Sequence, residues 1–253
     1  MPELLPGAEP IDLPGGPVGV VLCHGFTGTN QSIRPWAEHL AAAGLTVVAP
    51  RLPGHGTTWQ EMNTTRFADW YGELERAFDG LRARCDTVFA MGLSMGGTLV
   101  LRLVEQRPGQ VAGIVVVNAS LATERKDAKL LPLLSKVIPS LPGIASDIKA
   151  VGPVEVAYTR IPLKAALSLQ QAWQVVRQDL GRITCPVLAF RSDVDHVVEP
   201  VSGRVLLEGC AEGVVEERVL HESYHVATLD NDAPAIFRGS LDFVRTHAPA
   251  AAG

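Results

Sequence analysis

The run Ala90-Met-Gly-Leu-Ser-Met-Gly-Gly97 sets one hydroxyl, Ser94, among glycines at 92, 96 and 97. A serine becomes a nucleophile only when a base takes its proton and fixed donors meet the charge that develops on the attacked carbonyl. The Gly-x-Ser-x-Gly spacing suits that chemistry on steric grounds. A serine on a sharp strand-to-helix turn has a strained backbone, and the residues two positions away must be small to avoid collision. The following helix then points its N-terminus at the hydroxyl, and the Met95 amide is free to face an oxyanion. A glycine-rich turn with an incidental serine has the same five residues, so the setting decides. Here Thr87 to Met91 reads as a strand and Thr98 to Glu105 as a helix.

The base and its orienting acid must come from elsewhere. Where the nucleophile sits on such a turn, the expected chain order is serine, acid, histidine. Four histidines follow Ser94, at 196, 221, 225 and 247. His247 falls toward the C-terminal tail and His221 ends a strand directly. His225 lies in the loop Glu222-Ser-Tyr-His-Val226, from which a side chain can reach across, and is preferred. The acid should follow the penultimate strand, where Arg191-Ser-Asp-Val-Asp-His-Val-Val198 offers Asp193 and Asp195. A loop aspartate commonly serves a turn or a helix cap. Asp195 is preferred because the His-Val-Val that follows would anchor its loop. For the oxyanion, Leu22-Cys-His-Gly-Phe-Thr-Gly28 turns at the end of the first strong strand and leaves the Phe26 amide to pair with that of Met95. His24 and His55 are assigned structural roles.

The elements that must hold these groups alternate. Strands are read at 18–23, 45–49, 87–91, 111–117, 187–191 and 214–220. Helices are read at 32–43, 67–81, 98 to about 108, 201–208 and 233–246. Continuous apolar strands between helices imply a mostly parallel sheet covered on both faces, an α/β fold. The aromatic stripe Phe67, Trp70, Tyr71, Leu74, Phe78, Leu81 has helical spacing and reads as core. Between Ala119 and Ile183 the rhythm breaks. No convincing strand pair is seen there, and proline-punctuated leucines suggest a small helical cap insertion, about 120–182, within one domain spanning 1–253.

Composition narrows the function classes. The 253 residues are 47% hydrophobic and 19% charged, with a net charge of −5, which is no footprint for nucleic acid. No apolar run reaches membrane-spanning length, and the N-terminal stretch lacks the features of a signal peptide. The four cysteines are dispersed without a Cys-x-x-Cys pair, pointing to neither zinc nor redox chemistry. A cytoplasmic setting, no cofactor, no metal, no stable membrane anchor, and a monomer or weak homodimer are the expectations.

Taken in order, HGFTGT, RLPGHGTT, GLSMGGTL and SYHVATLDND resemble the bacterial carboxylesterase and monoacylglycerol lipase family of α/β hydrolases over nearly the whole chain. The resemblance implies Ser94 as nucleophile, Asp195 as acid, His225 as base, and Phe26 and Met95 as oxyanion donors. It also implies a mobile cap whose segment Val154-Glu-Val-Ala-Tyr158 brings Glu155 to glycerol hydroxyls and whose Ile144 lines the acyl route. Relatives often carry glycine where this chain has Ser223. The expected reaction is hydrolysis of monoacylglycerols or short- to medium-chain esters through an acyl-enzyme. A thioesterase or carbon–carbon bond hydrolase on the same scaffold stays open, because a fold hosts many chemistries. A binding protein that merely kept the fold has no need of all three catalytic groups. Haloalkane or epoxide chemistry would call for aspartate at position 94.

Overall fold

The computed structural model describes residues 3–248. Among them the strands are β1 (Ile11–Leu13), β2 (Val18–Cys23), β3 (Thr46–Ala49), β4 (Thr87–Leu93), β5 (Ile114–Val117), β6 (Ser140–Pro142), β7 (Arg160–Pro162), β8 (Val187–Ser192) and β9 (Val215–Leu220). The α-helices are α1 (Arg34–Ala42), α2 (Trp59–Met62), α3 (Phe67–Arg82), α4 (Met95–Gln106), α5 (Leu131–Val137), α6 (Leu163–Asp179), α7 (Val201–Gly209) and α8 (Ala233–His247). Seven strands form one sheet in the order β1-β3-β2-β4-β5-β8-β9. Only the edge strand β1 is antiparallel to its neighbour.

Alternation along the strands builds two cores. Val21, Cys23, Val88, Ala90, Ile114 and Val116 face Trp70, Leu74 and Phe78 of α3 and Leu99 and Leu103 of α4. Val20, Leu22, Phe89, Met91, Val115 and Val117 face Trp36 and Leu40 of α1 and Ile236 and Phe243 of α8. The aromatic stripe is core as expected: Trp70, Leu74, Phe78 and Leu81 are fully buried, while Phe67 and Tyr71 pack at its margin. Replacing Phe78 by alanine at such a site would cost about 3–5 kcal/mol. Local signals set the helix ends. Asp69 accepts the Arg66 amide at 2.8 Å to start α3, and Gly44, at φ 92°, turns the chain out of α1 into β3.

The stretch between β5 and β8 leaves the sheet. It carries α5 and α6, with α6 packed on α4 and α5. It also contains a strand pair, contrary to the expectation from sequence. β6 and β7 form a short antiparallel ribbon with Leu141 opposite Ile161. Three-residue strands containing Pro142 and Pro162 show no alternation to read. His247 is the last residue of α8, its ring centroid 4.6 Å from that of Phe243, and so belongs to the helix. The rest of the expected tail, beyond residue 248, lies outside the described residues.

Candidate active site

In a parallel sheet the loops leaving the carboxyl ends of the strands converge on one edge. The segment after β2 supplies Phe26, the turn after β4 supplies Ser94, the loop after β8 supplies Asp195 and the loop after β9 supplies His225. Ser94 adopts φ 55° and ψ −117°, a region that non-glycine residues enter only where the surroundings enforce it. The surroundings do. The Ser94 amide donates to the Val117 carbonyl at 2.9 Å. A Cβ on Gly92 would strike the Gly96 carbonyl, and a Cβ on Gly96 would strike the Cys23 carbonyl. The glycines are therefore required by contact as well as by turn geometry. Gly25 also lies close, since a Cβ there would come within 3.4 Å of the Ser94 Cβ.

Asp195 and His225 meet, 30 positions apart in sequence. His225 Nδ1 lies 2.8 Å from Asp195 Oδ2, and both side chains are below 10% exposed. The other carboxylate oxygen accepts the amides of Val197 at 2.8 Å and Val198 at 2.7 Å. Burial alone would raise the Asp195 carboxyl; the charge and hydrogen bond of His225 and the two valine amides outweigh it and hold the group below its ordinary value. Asp195 thus accepts, His225 Nδ1–H donates, and Nε2 is left for another partner. Burial likewise works to depress His225, but the carboxylates of Asp195, Glu155 and Asp147 win and raise it above its ordinary value.

The residues set second also pair, on the surface. His221 Nδ1 stands 3.3 Å from Asp193 Oδ2, with side chains 71% and 58% exposed. His24 and His55 are buried and held by backbone. His24 lies against the Gly25 carbonyl and the Leu52 amide, His55 against the Pro53 carbonyl. Burial first of all pushes His24 down to about 4, so it is neutral at pH 7.

Two cavities meet over Ser94. One, of about 490 Å³, is lined by Thr27, Ser146, Asp147, Glu155, His196 and His225 as well as Phe26 and Ser94. The other, of about 330 Å³, also reaches Phe26 and Ser94 but runs between Leu131, Leu134, Leu163, Ala166, Leu169 and Trp173. The first has the larger share of polar groups, set among Leu93, Ile144, Ile161 and Val226, and the second is the more apolar. Glu155 reaches its place because its segment is stitched to the Phe26 loop: the Tyr158 amide donates to the Thr27 carbonyl at 3.1 Å and Thr29 Oγ1 to the Val156 carbonyl at 3.1 Å. A Cβ on Gly28 would come within 2.8 Å of Glu155 Oε1. Burial raises the Glu155 carboxyl against the pull of His225 and a hydrogen bond to Ser146. Ile144 sits on the wall of the polar cavity, 55% exposed. The Phe26 amide makes no hydrogen bond to a described residue, and Met95 opens α4.

Two polar residues of the site, Asn118 and Asp147, carried no motif in the sequence, and a third, Asp230, stands in SYHVATLDND with no role assigned to it. Asn118, at φ 47° after β5, donates from Nδ2 to the His225 carbonyl at 2.8 Å and accepts the Ser192 amide at 2.8 Å. A polar residue ending the run Ile114–Val117 was the only sign of it. Asp147 and Asp230 hold the histidine loop from the inserted segment and from the chain ahead of α8. Ser223 is buried and its hydroxyl accepts the Asp232 amide at 2.8 Å, so the departure at that position ties the loop down.

Comparisons with known proteins show the family and the fold. A family model described as serine aminopeptidase, S33, matches residues 18–232. The chain is 44% identical over 250 residues to a thermostable monoacylglycerol lipase of Bacillus sp. (strain H-257), covering 97% of each chain. It is 24% identical to a carboxylesterase of Bacillus subtilis over 93% of its length and 96% of the relative's. A solved structure from work on LipS and LipT, two metagenome-derived lipolytic enzymes, superposes with a TM-score of 0.93 at 44% identity, covering 97% of this chain and all of the other. A strained serine between glycines, a buried Asp–His pair whose histidine lines the same cavity, and likeness along the full chain lead to one conclusion: this chain belongs to the serine aminopeptidase S33 family and has the α/β-hydrolase fold.

Proposed function

We propose that the protein is a serine esterase that cleaves monoacylglycerols or short- to medium-chain carboxylic esters through an acyl-enzyme on Ser94. One observation carries the reading: Ser94 lies where a cavity bearing Glu155, Asp147, Ser146 and His196 meets a more apolar one, beside a buried Asp195–His225 pair. An ester of a polar alcohol and an apolar acid has the same division, with the scissile carbonyl at the boundary. The relatives named as monoacylglycerol lipase and carboxylesterase support this substrate class.

In the proposed reaction His225 Nε2 takes the Ser94 proton as Oγ attacks the ester carbonyl, while Asp195 stabilises the imidazolium. The Phe26 and Met95 amides receive the oxyanion. Collapse breaks the bond to the alcohol oxygen, and His225 returns its proton to that leaving group. Water then attacks the acyl-serine with His225 again as base, releasing the carboxylic acid and restoring the Ser94 hydroxyl. The inserted segment, about 120–182, acts as the cap in this scheme. Its Glu155 meets the alcohol hydroxyls, its Ile144 edges the route in, and α5 and α6 wall the acyl side.

All of these groups come from one chain, which supports action as a monomer or weak homodimer. No described helix is long and apolar enough to cross a membrane, and the four free cysteines fit a reducing, cytoplasmic setting. The test is a panel of 1-monoacylglycerols, nitrophenyl esters of graded chain length and acyl-CoA thioesters. The esterase reading requires kcat/KM for glyceryl esters to exceed that for thioesters of the same acid; preference for the thioester would favour the alternative hydrolase.

A further inference from the structure

Asp147 lies in the inserted segment, far in sequence from Asp195 and His225, yet its side chain bridges both of their loops. Oδ2 accepts the His196 amide and the His225 amide, each at 3.2 Å. Oδ1 lies 2.8 Å from His196 Nδ1, and the Asp147 carbonyl accepts the Val226 amide at 3.0 Å. His196 directly follows Asp195, so a single carboxylate spans the residue after the acid and the histidine itself. The Asp147 side chain is only 10% exposed and lies on the wall of the cavity over Ser94. It follows Ser146, which sits at φ 59° and donates nothing to these loops, its hydroxyl instead accepting the Glu155 amide at 3.0 Å.

We infer that Asp147 is a positioning residue by which the inserted segment sets the distance between the Asp195 and His225 loops and adds negative charge behind the imidazole. The inference rests on the esterase reading of the site and deepens it. A largely covered carboxylate that accepts two amides ties their backbones to one point, since losing the acceptor would leave the part-buried His225 amide without a partner. A base displaced by a fraction of an ångström loses much of its effectiveness. Seating of the inserted segment is then part of assembling the catalytic geometry, and a displaced segment would release both loops together.

The groups facing His225 are the carboxylates of Asp195 on its own side of the sheet, Glu155 and Asp147 on the inserted segment, and His196 and Arg125 along the same cavity wall. Asp230 offers an internal control. Its carboxylate joins the inserted segment to the histidine loop alone, taking the amides of Lys149 and Ala150 and of Tyr224 beside His225, and it bonds to neither His196 nor His225.

Two substitutions separate tether from charge. In Asp147→Asn the side-chain oxygen still accepts the amides while the charge is lost. The pH midpoint of kcat/KM should move toward acid, as should the His225 ring titration followed by NMR, while kcat on the alkaline plateau stays within about threefold of wild type. In Asp147→Ala the same shift should come with a fall in kcat of roughly tenfold or more and a smaller change in KM. Asp230→Asn should lower the melting temperature without moving the midpoint. With an active wild type, a midpoint and His225 titration left at their wild-type values by both Asp147 variants, or a kcat that survives Asp147→Ala, would overturn the inference. A wild type that hydrolyses no ester would overturn the reading on which it rests, and NMR would still report on the Asp147–His225 coupling.

Discussion

Asp195 Oδ2 lies 2.8 Å from His225 Nδ1 inside the protein, and the neighbouring Asp193–His221 pair lies open to solvent at 3.3 Å. Two Asp–His pairs on the same two loops thus offer an internal comparison. An amide at position 195 would present a donor to the imidazole and favour the wrong tautomer. Asp195→Asn should therefore cut kcat by about 10⁴-fold, the size of the effect in a serine protease, with a small change in melting temperature. Asp193→Asn should leave kcat nearly intact and alter stability by no more than about 1 kcal/mol, as for other exposed pairs. Steady-state kinetics and thermal melts of both variants check this, and the reverse pattern would move the acid to Asp193.

The pH profile follows from the charges around His225. In the proposed reaction only neutral imidazole can accept the Ser94 proton, so activity should fall as pH drops through its titration. Burial depresses the group, but Asp195, Glu155 and Asp147 raise it overall. The midpoint of kcat/KM should accordingly lie above about 6.5, the ordinary histidine value. A midpoint below that value, with a stable fold, would show that the carboxylates do not outweigh burial.

Glu155 gives a test of the alcohol side. Its carboxyl is buried on the wall of the polar cavity, against Gly28. A lost hydrogen bond to a charged group is worth about 1.5–3 kcal/mol, or roughly 10- to 150-fold. Glu155→Gln should lower kcat/KM for a glyceryl ester by about that factor relative to the methyl ester of the same acid. Equal losses for the two esters would confine Glu155 to a structural role.

The acyl side is tested by filling it. Ala166 lines the apolar cavity of about 330 Å³ with Leu169 and Trp173. Ala166→Phe should reduce kcat/KM for a dodecanoyl ester by at least roughly tenfold relative to a butanoyl ester, since pocket methylenes are worth about 1–3 kcal/mol each. An unchanged chain-length profile would place the acyl group elsewhere.

How much of this was legible depends on how local the determinant is. The turn at Ser94 is set by collisions between residues a few positions apart, and the glycines record them directly. Asp195 was favoured over Asp193 because Val197 and Val198 could anchor its loop, and their amides do bond to it. The helical stripe from Phe67 to Leu81 encoded burial through its period alone. The β6–β7 ribbon was hidden because its strands are too short to alternate. Asp147 was hidden because its amide partner at 225 is 78 positions away and no spacing rule connects them. Asn118 gave one polar letter at a strand end, too little to assign.

The central claim, that Ser94 carries the acyl group, is tested most directly by intact-mass and peptide mass spectrometry after treatment with an alkyl fluorophosphonate. One adduct per chain is expected, mapped to Ser94, with complete loss of esterase activity. Ser94→Ala should take up no adduct, and its kcat should be lower by roughly 10⁴-fold or more. Labelling at another residue, or robust turnover by Ser94→Ala, would contradict the claim.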